Sequence, residues 1–330
     1  MRIPYKKFTF LLEAAEEIHL PSYKGSTFRG AFGVQFRKVA CALKKVDCRN
    51  CLLRQKCVYA YIFESYTPDD SSIMGRVNAI PHPFIIEPPE EDKQVYSAGQ
   101  TFSIGLILIG VAIQYLPYFV YTFDLLGENG IGRGRGKCRL KEVYTANPQG
   151  DSALIYSSAT RKVAPFGEEC IDLSQPILSV LENGCMNGAK NDCKEISLRF
   201  LTPTRLKYGG KLTIDLEFHV FIRQLLRRLF LLRQYYCNDS PVDNKLPDDG
   251  YHRMLIDKAF AITVKTSELR WNDWERYSRR QDTRMKLGGF VGEIVYAGDI
   301  SLFIPFIKAG EILHVGKGTS FGLGKYTIKP

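Results

Sequence analysis

Apolar positions along the chain fall into short alternating runs separated by longer stretches with helical spacing. Phe8–Leu12 alternates weakly and predicts a strand, as do the apolar runs Val58–Phe63, Phe84–Glu87 and Thr101–Ile109. Thr27–Lys45 has helical spacing, with Phe28, Phe32, Phe36 and Val39 along one face. In the second half, Ser197–Leu201, Lys211–Leu216 and Glu293–Tyr296 predict strands. Phe218–Tyr236 predicts a strong amphipathic helix: Leu225, Leu226, Leu229 and Leu232 are apolar, and Arg223, Arg227, Arg228 and Arg233 are cationic.

Two segments match without gaps at a shift of 188 residues. That shift pairs Pro117 with Pro305, Gly130 with Gly318, Gly134 with Gly322 and Gly136–Lys137 with Gly324–Lys325. Each copy has an apolar segment with an early proline (Leu116–Leu126, Ile304–Leu313) and then a loop of glycines and cations (Gly127–Lys137, Gly316–Lys325). A short strand-like run follows in each (Cys138–Tyr144, Tyr326–Lys329). Strand–helix–strand–strand–helix–strand used twice predicts an α+β protein with tandem ferredoxin-like (RRM-like) domains. The expected boundaries are 1–145, a connector over 146–195, and 196–330 with its glycine-rich loop at 316–325.

Composition sharpens this picture. The chain has 330 residues, of which 45% are hydrophobic, enough for a sizeable core and too many for a disordered protein. Its formal net charge of +10 is uneven: +5 over residues 1–145, −3 over 146–195 and +8 over 196–330. Two basic blocks around an acidic connector suit a polyanionic partner, nucleic acid above all. Met1–Lys7 is polar and Glu13, Glu16 and Glu17 follow, so no apolar leader is expected. The longest apolar stretch, Thr101–Leu126, is interrupted by Gly105, Gly110, Gln114, Pro117 and Asp124 and divides into a strand and a helix; no membrane span is expected there. A cytoplasmic protein is the expectation.

Nine cysteines without a secretory signal suit a reducing compartment. Cys41, Cys48, Cys51 and Cys57 are spaced for a tetrahedral four-thiolate site, an insertion in the first domain. Structural zinc is the leading expectation, with an iron–sulfur cluster, disulfides or free thiols as alternatives. Four thiolates leave zinc no open position, which argues against a zinc hydrolase. Cys138, Cys170, Cys185, Cys193 and Cys237 lack such spacing. The terminal glycine loop fails the P-loop pattern, because Tyr326 follows Gly324–Lys325 and Thr319 occupies the earlier glycine position. It fails the dinucleotide fingerprint because Phe321 stands where the third glycine belongs. What remains is a loop with free backbone N–H groups and interleaved cations, suited to a phosphate chain.

Several motifs together resemble a known family, the CRISPR-associated endoribonucleases of the RAMP superfamily that cut precursor CRISPR RNA within its repeats. They are Pro21-Ser-Tyr-Lys-Gly-Ser-Thr-Phe-Arg-Gly-Ala-Phe-Gly33, the Cys41–Cys57 cluster running on to Tyr59–Glu64, and Phe200-Leu-Thr-Pro-Thr-Arg205. Asp273-Trp-Glu-Arg-Tyr-Ser-Arg-Arg-Gln281, Gly288-Gly-Phe-Val-Gly292 and the terminal glycine loop complete the set. The resemblance covers most of the chain. It implies a metal-independent RNase in which a ribose 2′-OH attacks the phosphorus, leaving a 2′,3′-cyclic phosphate and a 5′-OH. Such chemistry needs a base, an acid and cations around the phosphate. No catalytic metal is expected, and any zinc would be structural. Expected partners are CRISPR repeat RNA, or precursor crRNA, in the cleft between the two halves, and a CRISPR effector complex; monomer and homodimer both stay open.

The chain departs from the family at one position. Related sequences often carry a histidine directly after Arg-Gly-Ala-Phe-Gly, where this chain has Val34, which transfers no proton. Three explanations stay open: another residue substitutes, catalysis rests on orientation and cations, or the protein binds RNA without cutting it. Candidate proton carriers are Tyr23 and His19, just before the first helix, and Lys38, one turn beyond Val34. Arg29, Arg133, Arg135, Lys317 and Lys325 are the expected phosphate ligands, joined by Arg276, Arg280, Arg284 and Lys286 before Gly288–Gly292. His314 either contacts phosphate or holds its loop by a hydrogen bond. His219 and His252 read as structural or solvent-facing, the latter in a polar loop, and Trp271 and Trp274 as packing residues.

Overall fold

The computed structural model describes residues 1–44, 46–65, 80–146, 151–173, 194–237, 249–273, 275–278, 283–286 and 288–329. The chain divides into two compact units: Pro4–Cys170, and Ile171–Pro330 with Met1–Ile3. In the first, the elements run β1 (Arg2–Ala14), β2 (Ile18–His19), α1 (Gly25–Ala40), β3 (Phe84–Glu87), β4 (Val95–Tyr96) and β5 (Thr101–Ile109). They continue with α2 (Leu116–Asn129), β6 (Cys138–Ala146), β7 (Ser152–Ser157) and β8 (Glu169–Asp172). The sheet order is β3-β5-β1-β6-β7, with β8 on β1, and β2 pairs with β4 apart from it.

The alternation along β1 is decisive: Phe8, Phe10, Leu12 and Ala14 point inward, while Lys7 and Thr9 face solvent. The inner face of the sheet is covered by α1 and α2. Phe28, Phe32 and Phe36 recur every four residues and are fully buried. Phe32 stacks on Phe36 at 5.1 Å and on Phe119 of α2 at 5.0 Å, and approaches Phe84 and Phe123. Pro117 sits in the first turn of α2, where its missing N–H costs nothing.

The second unit contains β9 (Glu195–Thr204), β10 (Leu206–Tyr208), β11 (Lys211–Thr213), α3 (Phe218–Tyr236), α4 (Asp249–Ala259), β12 (Thr263–Ser267) and β13 (Arg270–Asn272). After these come β14 (Glu275–Ser278), β15 (Thr283–Lys286), β16 (Gly289–Ala297), α5 (Ile304–Leu313) and β17 (Tyr326–Lys329). Its main sheet has the order β12-β16-β9-β17. With strands counted along each unit as first (β1, β9), second (β3, β12), third (β5, β16) and fourth (β6, β17), both sheets read second-third-first-fourth. Phe221 of α3 lies edge-on to Phe200 and to Tyr326, joining the helix to the first and fourth strands. Gly310 of α5 leaves room for the Tyr326 hydroxyl, which donates to the Ile307 carbonyl at 2.6 Å.

Several expectations need correcting. Val58–Phe63 is no strand: Ala60–Glu64 forms a single π-helical turn, in which Tyr59 and Phe63, four residues apart, stack at 5.4 Å. The first helix ends at Ala40 rather than Lys45, and the strand from Lys211 ends at Thr213. The stretch read as a connector supplies β7 to the first sheet, paired with β6. His252 lies on α4, not in a loop, and Trp271 is 39% exposed on β13 instead of packed, its indole N–H donating to Asp273 at 2.7 Å. Trp274, Arg280, Cys185 and Cys193 lie outside the described residues. The arginines of α3 are not all on a wet face: Arg228 and Arg233 are buried, and Arg228 Nε donates to the Leu313 carbonyl at the end of α5. The Thr101–Leu126 stretch is divided between β5 and α2, and among the described residues no helix is long and apolar enough to cross a membrane.

Phe32 holds the aromatic layer of the first unit together. Phe32→Ala is expected to destabilise that unit by about 3–5 kcal/mol, measured by urea unfolding; a loss under about 1 kcal/mol would show that the ring cluster is not its keystone.

Candidate functional site

Two cationic glycine loops occupy the same place in their units, between the last helix and the fourth strand. In the first unit, the Arg133 amide donates to the His19 carbonyl at 2.9 Å, and Ile131 N–H to Gly136 O at 2.9 Å. Gly132 has φ +77°, and a Cβ there would collide with the His19 carbonyl oxygen, so only glycine permits this approach. The backbone is pinned while the side chains of Arg133, Arg135 and Lys137 stand exposed.

The second unit repeats the device. Lys317 N–H donates to Arg205 O at 3.0 Å, and Val315 N–H to Gly324 O at 3.0 Å. The Lys325 amide donates to Thr202 Oγ1 at 2.9 Å, which in turn donates to the Gly322 carbonyl. His314 is fully buried and its Nδ1 lies 3.1 Å from the Leu323 carbonyl, so it holds the loop and does not face a phosphate. Lys317 is exposed and Lys325 half-buried. Burial, reinforced by Lys207 and Arg205, pushes the Lys317 ammonium below its usual range, whereas burial alone lowers Arg205. Three cations therefore share one edge of this unit. Arg205 entered the sequence reading only within a motif and Lys207 not at all, since both lie more than a hundred residues before Lys317.

On α1, Gly30, Val34 and Lys38 follow one another at four-residue spacing and all face solvent, Val34 being 48% exposed. The neighbouring stripe is built differently. Arg29 lies with its guanidinium carbon 4.0 Å over the Phe63 ring and its Nη2 3.1 Å from His82 Nε2. Because guanidinium only donates, Nε2 accepts, and the His82 proton resides on Nδ1, 2.9 Å from Ser65 Oγ. The Ser65 hydroxyl then passes on to the Ile62 carbonyl at 3.4 Å. Ser65 adopts a left-handed φ of 47° where the π turn ends, which brings this chain of groups under α1. His82 escaped the sequence reading; its surroundings, Pro81 and Pro83, give no periodic signal.

The three candidate proton carriers sit on separate elements. His19, on β2, is half exposed and its Nε2 lies 2.8 Å from Glu17 Oε1. Tyr23 precedes α1, and burial, with the Glu87 carboxylate adding to it, pushes its hydroxyl far above the usual range, which disfavours the phenolate. Lys38 is exposed in the last turn of α1. Arg276, Arg284 and Lys286 belong to the β14–β15 hairpin, with Arg276 opposite Met285 and Arg284 opposite Tyr277.

Among the cysteines, Cys41 is buried and Cys48, Cys51 and Cys57 are half-buried. Burial raises the Cys48 thiol, Glu64 adds to this, Arg37 opposes it, and Cys41 and Cys57 lie near enough to contribute. Among the described residues, however, no three metal-ligating side chains converge closely enough to hold an ion. The thiols are grouped, but they do not form a coordination sphere.

Residues 198–326 match the family model of CRISPR-associated endoribonuclease Cas6, and residues 3–167 match AF_1859_N, an N-terminal domain. The chain belongs to the CRISPR-associated Cas6/RAMP family. An uncharacterized protein of Archaeoglobus fulgidus is 26% identical over 319 residues, covering 95% of this chain and 94% of that one. The Cas6 of Thermus thermophilus, solved as a product complex, shares the fold with a TM-score of 0.54 at 17% identity, over 99% of this chain and 100% of that one. A partial Cas6-RT-Cas1–Cas2 complex has a TM-score of 0.55 at 12% identity, over 99% of this chain and 46% of the other. As a Cas6/RAMP member the chain has a mixed helix-and-sheet fold.

The glycines of α1 give a paired test. A Cβ on Gly30 meets nothing within 4 Å, so Gly30→Ala should stabilise α1 by up to about 1 kcal/mol. A Cβ on Gly33 collides with the Phe63 ring, so Gly33→Ala should displace Phe63, release Arg29, and lower both thermal stability and affinity for RNA. Equal melting temperatures for the two variants would refute this packing.

Proposed function

We propose that this chain binds the repeat segments of precursor CRISPR RNA and cuts them by metal-independent attack of a ribose 2′-OH. The observation that carries it is the Arg205–Lys207–Lys317 edge, where burial and the two neighbouring cations lower the Lys317 ammonium and a phosphate chain would supply the missing counter-charge. Membership of the Cas6/RAMP family supports the same reading. Each unit is read as a ferredoxin-like fold, the second-third-first-fourth strand order of both sheets being the support.

In the proposed reaction the 2′-oxygen forms a bond to phosphorus as its proton leaves. The bond from phosphorus to the 5′-oxygen breaks, and that oxygen takes up a proton, leaving a 2′,3′-cyclic phosphate and a 5′-OH. Arg29, oriented by His82 and backed by Phe63, is assigned to the crowded phosphate oxygens. Arg133, Arg135, Lys317 and Lys325 are assigned to flanking phosphates. Tyr23 is a poor base on account of its raised pKa, which leaves His19 and Lys38 as the better carriers of the proton.

A second reading, an RNA-binding subunit that does not cut, is favoured by Val34. One experiment separates the two. Purified protein is incubated in EDTA with its cognate repeat RNA, and in parallel with the same RNA carrying a 2′-deoxy group at the cut site. Cleavage of the first alone is expected; cutting of the deoxy substrate or a need for metal refutes the mechanism. A tight, salt-sensitive complex without cleavage selects the second reading, and Val34→His should then create activity.

Cys41, Cys48, Cys51 and Cys57 are proposed as a structural zinc site on their spacing, with the shared neighbourhood of Cys41, Cys48 and Cys57 in support. Purified protein is expected to carry one zinc per chain, lost in Cys48→Ser/Cys51→Ser together with thermal stability. Metal analysis that finds none rejects the site.

A further inference from the structure

Away from the glycine loops, a cavity of about 260 Å³ opens beside α3 and α4, lined by Arg223, His252, Arg253, Ile256, Asp257 and Phe260. Its composition is unusual for a gap between helices. Phe260, just beyond the end of α4, is 54% exposed although it is among the largest apolar side chains. One face of its ring is already occupied: the His219 imidazole stacks on it at 4.0 Å and 22°. His219 itself is buried and fixed by Glu217, 3.1 Å from its Nδ1. Burial holds this imidazole below its usual pKa, with Arg223 adding and Glu217 opposing, so the ring behind Phe260 is neutral at pH 7.

Two arginines line the same cavity as this ring. Arg223 lines the cavity, and its Nε is buried without a hydrogen-bond partner among the described residues. A buried donor left unmet costs free energy that an entering acceptor restores. Arg253 is exposed at the same cavity, and His252 adds a further nitrogen. Among the described residues of the lining the one carboxylate is Asp257, an acceptor for a base amino group or a ribose hydroxyl. A volume of this size is below that of ordinary ligand pockets, which run from about 300 Å³ upward. It suits one flat ring and its attached phosphate.

Resting on the RNA-binding function proposed above, we propose that this cavity is a subsite for one unpaired nucleotide of the bound strand. Its base lies on the free face of Phe260, and its phosphate lies between Arg223 and Arg253. Sequence-tolerant stacking of this kind joined to arginine contacts is how proteins hold single-stranded nucleic acid.

The test compares Phe260→Leu, Phe260→Trp and Arg223→Gln/Arg253→Gln with wild type, by fluorescence anisotropy with labelled single-stranded repeat RNA at several salt concentrations. Phe260→Leu keeps the apolar bulk and should weaken binding at least about fivefold, the low end of what one stacked base contributes. Phe260→Trp should bind as well as wild type, and its added indole fluorescence should be quenched by RNA. The double arginine variant should bind more weakly with a shallower salt dependence. Quenching by oligonucleotide at concentrations where 5′-AMP has no effect assigns the site to a strand; quenching by 5′-AMP at the lower concentration overturns that assignment. If wild type binds RNA and Phe260→Leu binds within twofold of it, this inference alone fails. If wild type binds no RNA, the proposed function fails and this inference fails with it.

Discussion

The structure turns on a backbone contact made twice. In each unit the chain leaving the last helix must join the first strand's neighbour through a loop that touches another segment's main chain. Arg133 reaches the His19 carbonyl in one unit, and Lys317 reaches the Arg205 carbonyl in the other. Such closeness excludes a Cβ at Gly132 and at Gly316, where a side chain would meet the His19 and Arg205 carbonyl oxygens. Once the main chain is pinned inward, the long cationic side chains between the glycines project outward. The glycines and the cations are thus one device: the former fix the loop, and the latter inherit the exposed positions. A flexible loop with the same charges would lose conformational entropy on binding a phosphate chain, and a pinned one loses less.

Charge burial separates structural from functional cations in the same way. Arg228 is buried in α3 and donates to the last turn of α5, so its charge serves a helix end and no ligand. Lys6 is also buried, and its Nζ meets the Ala146 carbonyl and Glu169. Arg205 and Lys207 instead lie close enough to Lys317 to add to the burial that lowers its ammonium. Buried cations with carbonyl or carboxylate acceptors are finished interactions. Adjacent cations at an edge are unfinished ones, and a polyanion completes them.

Much of this was readable from residue order. The helices Phe218–Tyr236 and Ile304–Leu313 follow from leucine and phenylalanine spacing, and the shift of 188 residues locates equivalent loops in two equivalent sheets. What stayed hidden has physical causes. Val58–Phe63 is short and apolar, a pattern shared by strands and single helical turns, and the Tyr59–Phe63 stack decides between them. β7 was obscured because its apolar run, Ala153–Tyr156, is short and does not alternate: Leu154 is half exposed while Ile155 and Tyr156 are both buried. His82 depends on Arg29, fifty-three residues earlier, so no local pattern marks it. Phe260 carries no local signal; its exposure and its stack on His219, forty-one residues earlier, set it apart.

Val34 is best understood through what its exposure excludes. A valine buried against α2 would be a packing requirement, but this one is nearly half exposed between Gly30 and Lys38 and gains little from burial. The core therefore does not demand it, and a polar residue there would cost little stability. A well-placed acid or base contributes about 10²–10⁴-fold to such reactions, and a single donor to the developing charge about 10²–10³-fold. In the proposed reaction Arg29, in its His82–Phe63 cradle, would supply the second, and the first would fall to His19 or Lys38 in place of a residue at position 34. Under the proposed function, that balance of magnitudes corresponds to slow cleavage dominated by charge stabilisation.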